Sequence, residues 1–171
     1  MEFFNKAKSV RLRSHHEKFL IADEDEETVR QSHDGSSHRA YWTIEFIKGN
    51  PHLIRLKSVY GKYLTASNEP FLLGWTGNKV VQSKLPVENG TSIDWEPITE
   101  GFHVKLRTKG GKLLRANGGM PPWRNSVTHD IPYRSATQDW VLWKVEMVDI
   151  LEFESVRSYV SPVSSFSSFS I

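Results

Sequence analysis

The chain has 171 residues, 38% of them hydrophobic and 12% aromatic, enough for one β-rich domain and a short tail. It contains no cysteine, which excludes a disulfide scaffold, a cysteine nucleophile and a thiolate metal site. Its net charge of +2 is too small to mark a nucleic-acid binder, and no stretch is long and apolar enough to span a membrane.

In chain order, Met1 to Val10 carries Lys6 and Lys8 and no apolar run of signal-peptide length, so a cytoplasmic protein is expected, with the nucleus as the alternative. A predicted hairpin follows: Val10-Arg11-Leu12-Arg13-Ser14, a turn at His15-His16-Glu17, and Lys18-Phe19-Leu20-Ile21-Ala22. The acidic loop Asp23 to Glu27 lacks the glycine and alternation of a calcium loop and reads as solvated. A strand around Val29 and one opening at Trp42 close the first unit.

The same series then recurs. Ile54-Arg55-Leu56-Lys57-Ser58, Val59-Tyr60-Gly61 and Lys62-Tyr63-Leu64-Thr65-Ala66 form the second hairpin. A loop with Phe71, Leu72, Leu73 and Trp75, a strand at Val80-Val81, a turn at Asn89-Gly90 and a strand from Trp95 to Ile98 follow, the last short or at an edge because of Pro97. The third hairpin is Val104-Lys105-Leu106-Arg107-Thr108, Lys109-Gly110-Gly111 and Lys112-Leu113-Leu114-Arg115-Ala116. It leads to a loop with Met120, Pro121, Pro122, Trp123 and Arg124, a strand at Val127, and a strand from Trp140 to Val145. Beyond residue 150 the composition changes. Half of the residues from Ser155 to Ser170 are serine, so 151–171 reads as a disordered tail, with Ser161-Pro162 a plain solvated segment, and 1–150 as the folded domain.

The three hairpin blocks align without a gap. Apolar and basic residues alternate in each first arm, the period of a half-buried strand. Gly61 and Gly111 occupy the turn position where a positive φ is useful, and Glu17 holds it in the first copy, whose turn is therefore expected to be strained or of another type. Four strands per unit cannot bury their apolar face alone. Three units sharing one core predict an all-β fold, a β-trefoil of 12 strands: a closed, pseudo-threefold barrel with a hairpin cap. The expected layers are Leu12, Leu56 and Leu106; Leu20, Leu64 and Leu114; Trp42, Trp95 and Trp140; and the crowded Ala22, Ala66 and Ala116.

The repeated Gly61-Lys62-Tyr63-Leu64-Thr65-Ala66 pattern, closed by a Trp in each unit, resembles the fascin-like, actin-cross-linking group of β-trefoils. Met1-Glu2-Phe3-Phe4, Asn68 to Gly74 and Ala116 to Asp130 resemble, more narrowly, a plant family of unknown function within that group. The resemblance runs from Met1 to about Ile150 and implies a non-enzymatic interaction module with a protein partner, actin being the candidate. Gln138-Asp139-Trp140 resembles the Gln-x-Trp motif of ricin-type lectins, which makes a carbohydrate the alternative ligand, although the other units have Ala40-Tyr41-Trp42 and Ile93-Asp94-Trp95.

Signatures of hydrolases, phosphate-binding loops and metalloproteases are absent, and the seven histidines are scattered, so no enzyme, cofactor or metal is expected. Two features carry candidate binding residues. If Val10 and Leu12 point inward, Arg11 and Arg13 point outward, as do Arg55 and Lys57, and Lys105 and Arg107, giving a basic ring for an anionic partner. The loops between second and third strands should gather at one end of the barrel, where Phe71, Trp75, Trp123 and Arg124 serve either as lids or as binding anchors. A monomer is expected, with no nucleic-acid or membrane partner.

Overall fold

The structure is a computed structural model and describes residues 8–85 and 91–148. The opening Met1-Glu2-Phe3-Phe4 motif, the Asn89-Gly90 turn and the serine-rich segment 151–171 lie outside the described residues.

The first unit comprises β1 (Ser9–Arg13), β2 (Phe19–Ala22), β3 (Val29–Ser32) and β4 (Trp42–Ile47). The second comprises β5 (Asn50–Lys57), β6 (Tyr63–Pro70), β7 (Asn78–Ser83) and β8 (Glu96–Glu100), and the third β9 (His103–Arg107), β10 (Leu113–Ala116), β11 (Val127–Asp130) and β12 (Lys144–Met147). All ladders are antiparallel. Six strands line the barrel: β4 pairs with β1 and β5, β8 with β9, and β12 with β1. The remaining junctions are single bridges, Ile54 to Trp95 and Val104 to Trp143, each made by two reciprocal backbone hydrogen bonds of 2.8–2.9 Å. The hairpins β2–β3, β6–β7 and β10–β11 cap one end and touch each other through β7–β11 and the bridges Thr28–Val81 and Arg30–Ser126.

The three hairpin turns are built alike. Ser14, Ser58 and Thr108 each donate their N–H to the residue four positions on, and accept at their carbonyl from Glu17, Gly61 and Gly111. Those three residues have φ of 61°, 75° and 88°. The first turn is thus of the same type as the others, with an L-residue in the left-handed region, which costs about 1 kcal/mol or more. We expect Glu17→Gly to keep or raise stability, by up to about 1 kcal/mol, and Gly111→Ala to lose about 1 kcal/mol. No atom lies within 4 Å of a Cβ built at Gly111, so its loss would be purely conformational. Urea unfolding of both variants checks the pair, and the opposite ordering would contradict a shared turn type.

The layers of the core follow the repeat. Leu12, Leu56, Leu106, Leu20, Leu64 and Leu114 are fully buried, and Ala22, Ala66 and Ala116 sit tightly behind them. The tryptophan layer corrects the expectation: it is Trp42, Trp95 and Trp143, all fully buried, and not Trp140. Their indole Nε1–H groups donate to the carbonyls of Leu20, Leu64 and Leu114 at 2.9–3.0 Å, one tie per unit. Trp140 lies instead in a 3₁₀ segment, Ser135–Val141, where a strand was expected. That segment takes up residues before the last strand, so β12 begins only at Lys144.

A second threefold set joins the units. Gln31 of β3 accepts from Ser14 Oγ at 2.9 Å and donates from Nε2 to the carbonyls of Asn117 and Ser126 in the third unit. Gln82 of β7 accepts from Ser58 Oγ at 2.9 Å and donates to the carbonyls of Asp23 and Thr28 in the first unit. The equivalent residue of β11 is His129, whose Nε2 donates to the Ser67 carbonyl of the second unit at 2.6 Å.

Candidate functional site

Each cation of the predicted basic ring finds an acid on its own chain. Arg11 and Arg13 both reach Glu146, at 3.4 and 2.7 Å, and Arg13 also reaches Glu17. Arg55 pairs with Asp94, Lys57 with Glu45, Lys105 with Glu100 and Arg107 with Glu96, at 2.7–2.9 Å. Arg11 also lies over the rings of Phe19 and Tyr41. The side chains are half-exposed and point outward as expected, but their charge is locally balanced, so the ring presents little net positive field.

The loop end differs. Gly77, with φ 97°, lets the second loop fold onto β11, where a Cβ would strike the His129 carbonyl and Asp130. The Thr76 carbonyl then accepts from Thr128 Oγ1 at 2.5 Å. This places Trp75 against Trp123 of the third loop, their rings parallel within 4° and 6.2 Å apart between centroids. Trp75 is 72% exposed, so it is no lid over the core, and Trp123 is half-buried. Phe71 and Arg124 face a neighbouring cleft on the cap axis, together with Glu27 of the first loop. The three loops therefore do meet at one end. Arg124 is exposed and has no ion-pair partner among the described residues.

The tryptophan pair forms one wall of a cleft of about 470 Å³. Trp140 and the 89%-exposed Tyr133 line it further, and Arg115 and Asp130 lie in it. Arg115, on β10, is buried. It donates from Nε to Asn117 Oδ1 at 2.8 Å, pairs with Asp130 at 3.5 Å and lies over Trp140 at 5.5 Å from the ring centroid. Burial lowers its pKa and the Asp130 carboxylate opposes that shift. The Thr76 hydroxyl oxygen, also in the cleft, is buried and unpartnered among the described residues. Behind Trp140, His16 packs edge-on and its Nε2 donates to the Ala116 carbonyl at 3.0 Å. Among the described residues there is no group of three or more His, Cys, Asp or Glu placed to hold a metal ion, and no helix long and apolar enough to cross a membrane.

Sequence reasoning singled out Trp75 and Trp123 but missed Arg115, Asp130, Tyr133 and the new place of Trp140. The signal for Arg115 was in the repeat: its equivalents are Ile21 and Thr65, so a cation stands where the other units bury an uncharged side chain.

The family described as a beta-trefoil domain of unknown function (DUF569) matches residues 1–143. The chain belongs to this family. No curated protein gives a significant match. Among solved structures, this DUF569 domain is similar to a designed threefold-symmetric protein, ThreeFoil, with a TM-score of 0.63, 18% identity, and coverage of 82% of this chain and 99% of that one. It is also similar to the Haemophilus ducreyi cytolethal distending toxin, with a TM-score of 0.63, 12% identity, and coverage of 84% and 85%. At these identities the likeness speaks for the trefoil fold of the DUF569 domain alone.

Proposed function

We propose that the protein is a non-enzymatic binding module and that it takes a carbohydrate in the aromatic cleft of its third unit. The observation that carries this reading is the parallel, solvent-facing Trp75–Trp123 pair set beside the buried Arg115–Asp130 ion pair. Flat indole faces cover the apolar C–H face of a sugar ring, while convergent polar groups fix its hydroxyls. Arg115 supplies donors and Asp130 acceptors. A glycan array with the wild-type chain and with Trp75→Ala and Trp123→Ala tests it. Binding by the wild type that both variants lose supports the reading, and a wild type that binds no glycan removes it.

A second reading has its own observation. Leu73 and Met120, 78% and 75% exposed, lie with the exposed Leu72 in the two loops that carry Trp75 and Trp123, and Arg124, without an ion-pair partner among the described residues, adjoins Trp123. An apolar rim with a free cation suits an acidic protein surface, and the resemblance to the fascin-like group makes actin the candidate. Co-sedimentation with actin filaments distinguishes it from the first, since Leu73→Ser and Arg124→Gln would weaken it without touching the sugar site.

A further inference from the structure

The aromatic cleft of the third unit holds an unbalanced cation. Two guanidinium groups, Arg115 and Arg134, line it against one carboxylate, Asp130. Arg115 and Asp130 face each other in the floor at 3.5 Å and balance each other. Arg134 is exposed and has no ion-pair partner among the described residues, not even Asp139 in the 3₁₀ segment that it opens. The backbone of Arg134 is tied down. Its carbonyl accepts from the Thr137 N–H and hydroxyl, both at 3.1 Å, and from Gln138 Nε2 at 3.4 Å. Gln138 also donates to the Pro132 carbonyl at 2.9 Å, so the glutamine of the Gln-x-Trp-like motif is spent on holding this rim.

The floor has open valences. Arg115 is 7% exposed, and of its five N–H donors only Nε–H has a hydrogen-bond acceptor among the described residues, Asn117 Oδ1. The Nη groups meet only Asp130 at ion-pair distance and the face of Trp140, and neither Nη nitrogen is shut off from solvent. A buried guanidinium with unfilled donors costs free energy that a ligand's oxygens recover. A sugar hydroxyl both accepts and donates, so a pair of hydroxyls satisfies Arg115 and Asp130 together. A carboxylate brought to the same place would meet Asp130, and the like charges would repel. The floor therefore selects neutral hydroxyls and leaves the rim to read charge.

We propose that the cleft is specific for an acidic sugar, a uronic acid, whose ring lies against the Trp75–Trp123 wall, whose hydroxyls enter the floor and whose carboxylate meets Arg134. This inference rests on the carbohydrate reading and deepens it. The single unbalanced positive charge of the cleft matches the single negative charge of a uronate. A planar carboxylate suits the guanidinium fork, with two parallel N–H···O bonds. The phenol of Tyr133, exposed on the same rim, adds an O–H donor.

The test uses the full chain at low ionic strength, titrated calorimetrically with the methyl glycosides of glucuronic, galacturonic and mannuronic acid, each beside its neutral sugar. The expected result is that at least one uronate binds about tenfold more tightly than its neutral counterpart, through the charge-assisted fork. Arg134→Gln, a change at an exposed side chain, should remove that advantage and leave the affinity for the neutral sugar within about twofold, since only the charged contact is lost. Trp75→Ala should weaken both ligands. Added salt should shrink the preference of the wild type, because an exposed cation is screened, and should not change that of Arg134→Gln. Equal affinity for uronate and neutral sugar, or a preference that survives Arg134→Gln, would overturn the acidic-sugar inference and leave the carbohydrate reading standing. Failure to bind any of these sugars, acidic or neutral, would remove both.

Discussion

Trp143→Ala is expected to lower the unfolding free energy by about 3–5 kcal/mol, whereas Trp140→Ala costs about 1 kcal/mol. Trp143 is fully buried, packs with Trp42 and Trp95 around the axis, and donates to the Leu114 carbonyl at 3.0 Å. Its truncation opens a cavity that rigid barrel strands cannot close, and it leaves that buried carbonyl short of a donor. Trp140 is half-buried on a 3₁₀ segment and gives up only contacts to Arg115 and His16. For a domain of this size the first variant should melt lower by roughly 6–20 °C, and the second by only a few degrees. Calorimetry on both variants decides which tryptophan belongs to the barrel, and equal losses would contradict the assignment.

Stability is expected to be full above about pH 6.5 and to fall as the solution is acidified below it. Burial, the largest influence on both, lowers the pKa of His129 and of His16. For His129 the hydrogen bond to Ser67 works against the shift, and for His16 the bond to Ala116 does. In the unfolded chain each imidazole takes up a proton near pH 6.5. The folded protein accepts it only at lower pH, so between those two points the unfolded state binds more protons and acid favours unfolding. Below the folded pKa the loss levels off. His129 is the more buried, and its slope reaches at most about 1.4 kcal/mol per pH unit. Asp25, held below the ordinary carboxylate range chiefly by the Thr28 hydroxyl, acts only in more acid solution. His129→Gln should flatten the profile below about pH 6.5, because it removes the imidazole that titrates there and restores an uncharged clamp able to accept from Thr108. Guanidinium midpoints in non-phosphate buffers across pH 5–8 provide the check, and a variant profile identical to the wild type would refute it.

The barrel was legible in the sequence because its signals are local. Each 13-residue block carries its own alternation and its own turn residue, so the hairpins, the leucine layers and the packed alanines follow from the residues alone. The tryptophan layer does not, since Trp140 and Trp143 lie three residues apart and the 3₁₀ segment that sets the register is fixed by tertiary packing. The meeting of Trp75 and Trp123 follows from threefold symmetry. The neutralised basic ring does not, because partners such as Asp94, in the segment before β8, and Glu146, on β12, come from distant parts of the chain whose placement periodicity alone does not fix. Arg115 and His129, the residues that distinguish the third unit chemically, are visible in the sequence only as departures from the repeat. Differences between the copies, rather than their agreement, are the signal that marks both.

Six tryptophans give six indole N–H signals, and ¹H–¹⁵N correlation spectra of the full chain titrated with a glycan that it binds test the aromatic cleft directly. Trp75, Trp123 and Trp140 line that cleft, while Trp42, Trp95 and Trp143 are sealed in the barrel. The expected result is that the cleft indoles shift with saturation while the three barrel indoles stay in place. Saturable binding with all three cleft signals unmoved would contradict it and place the ligand elsewhere on the trefoil.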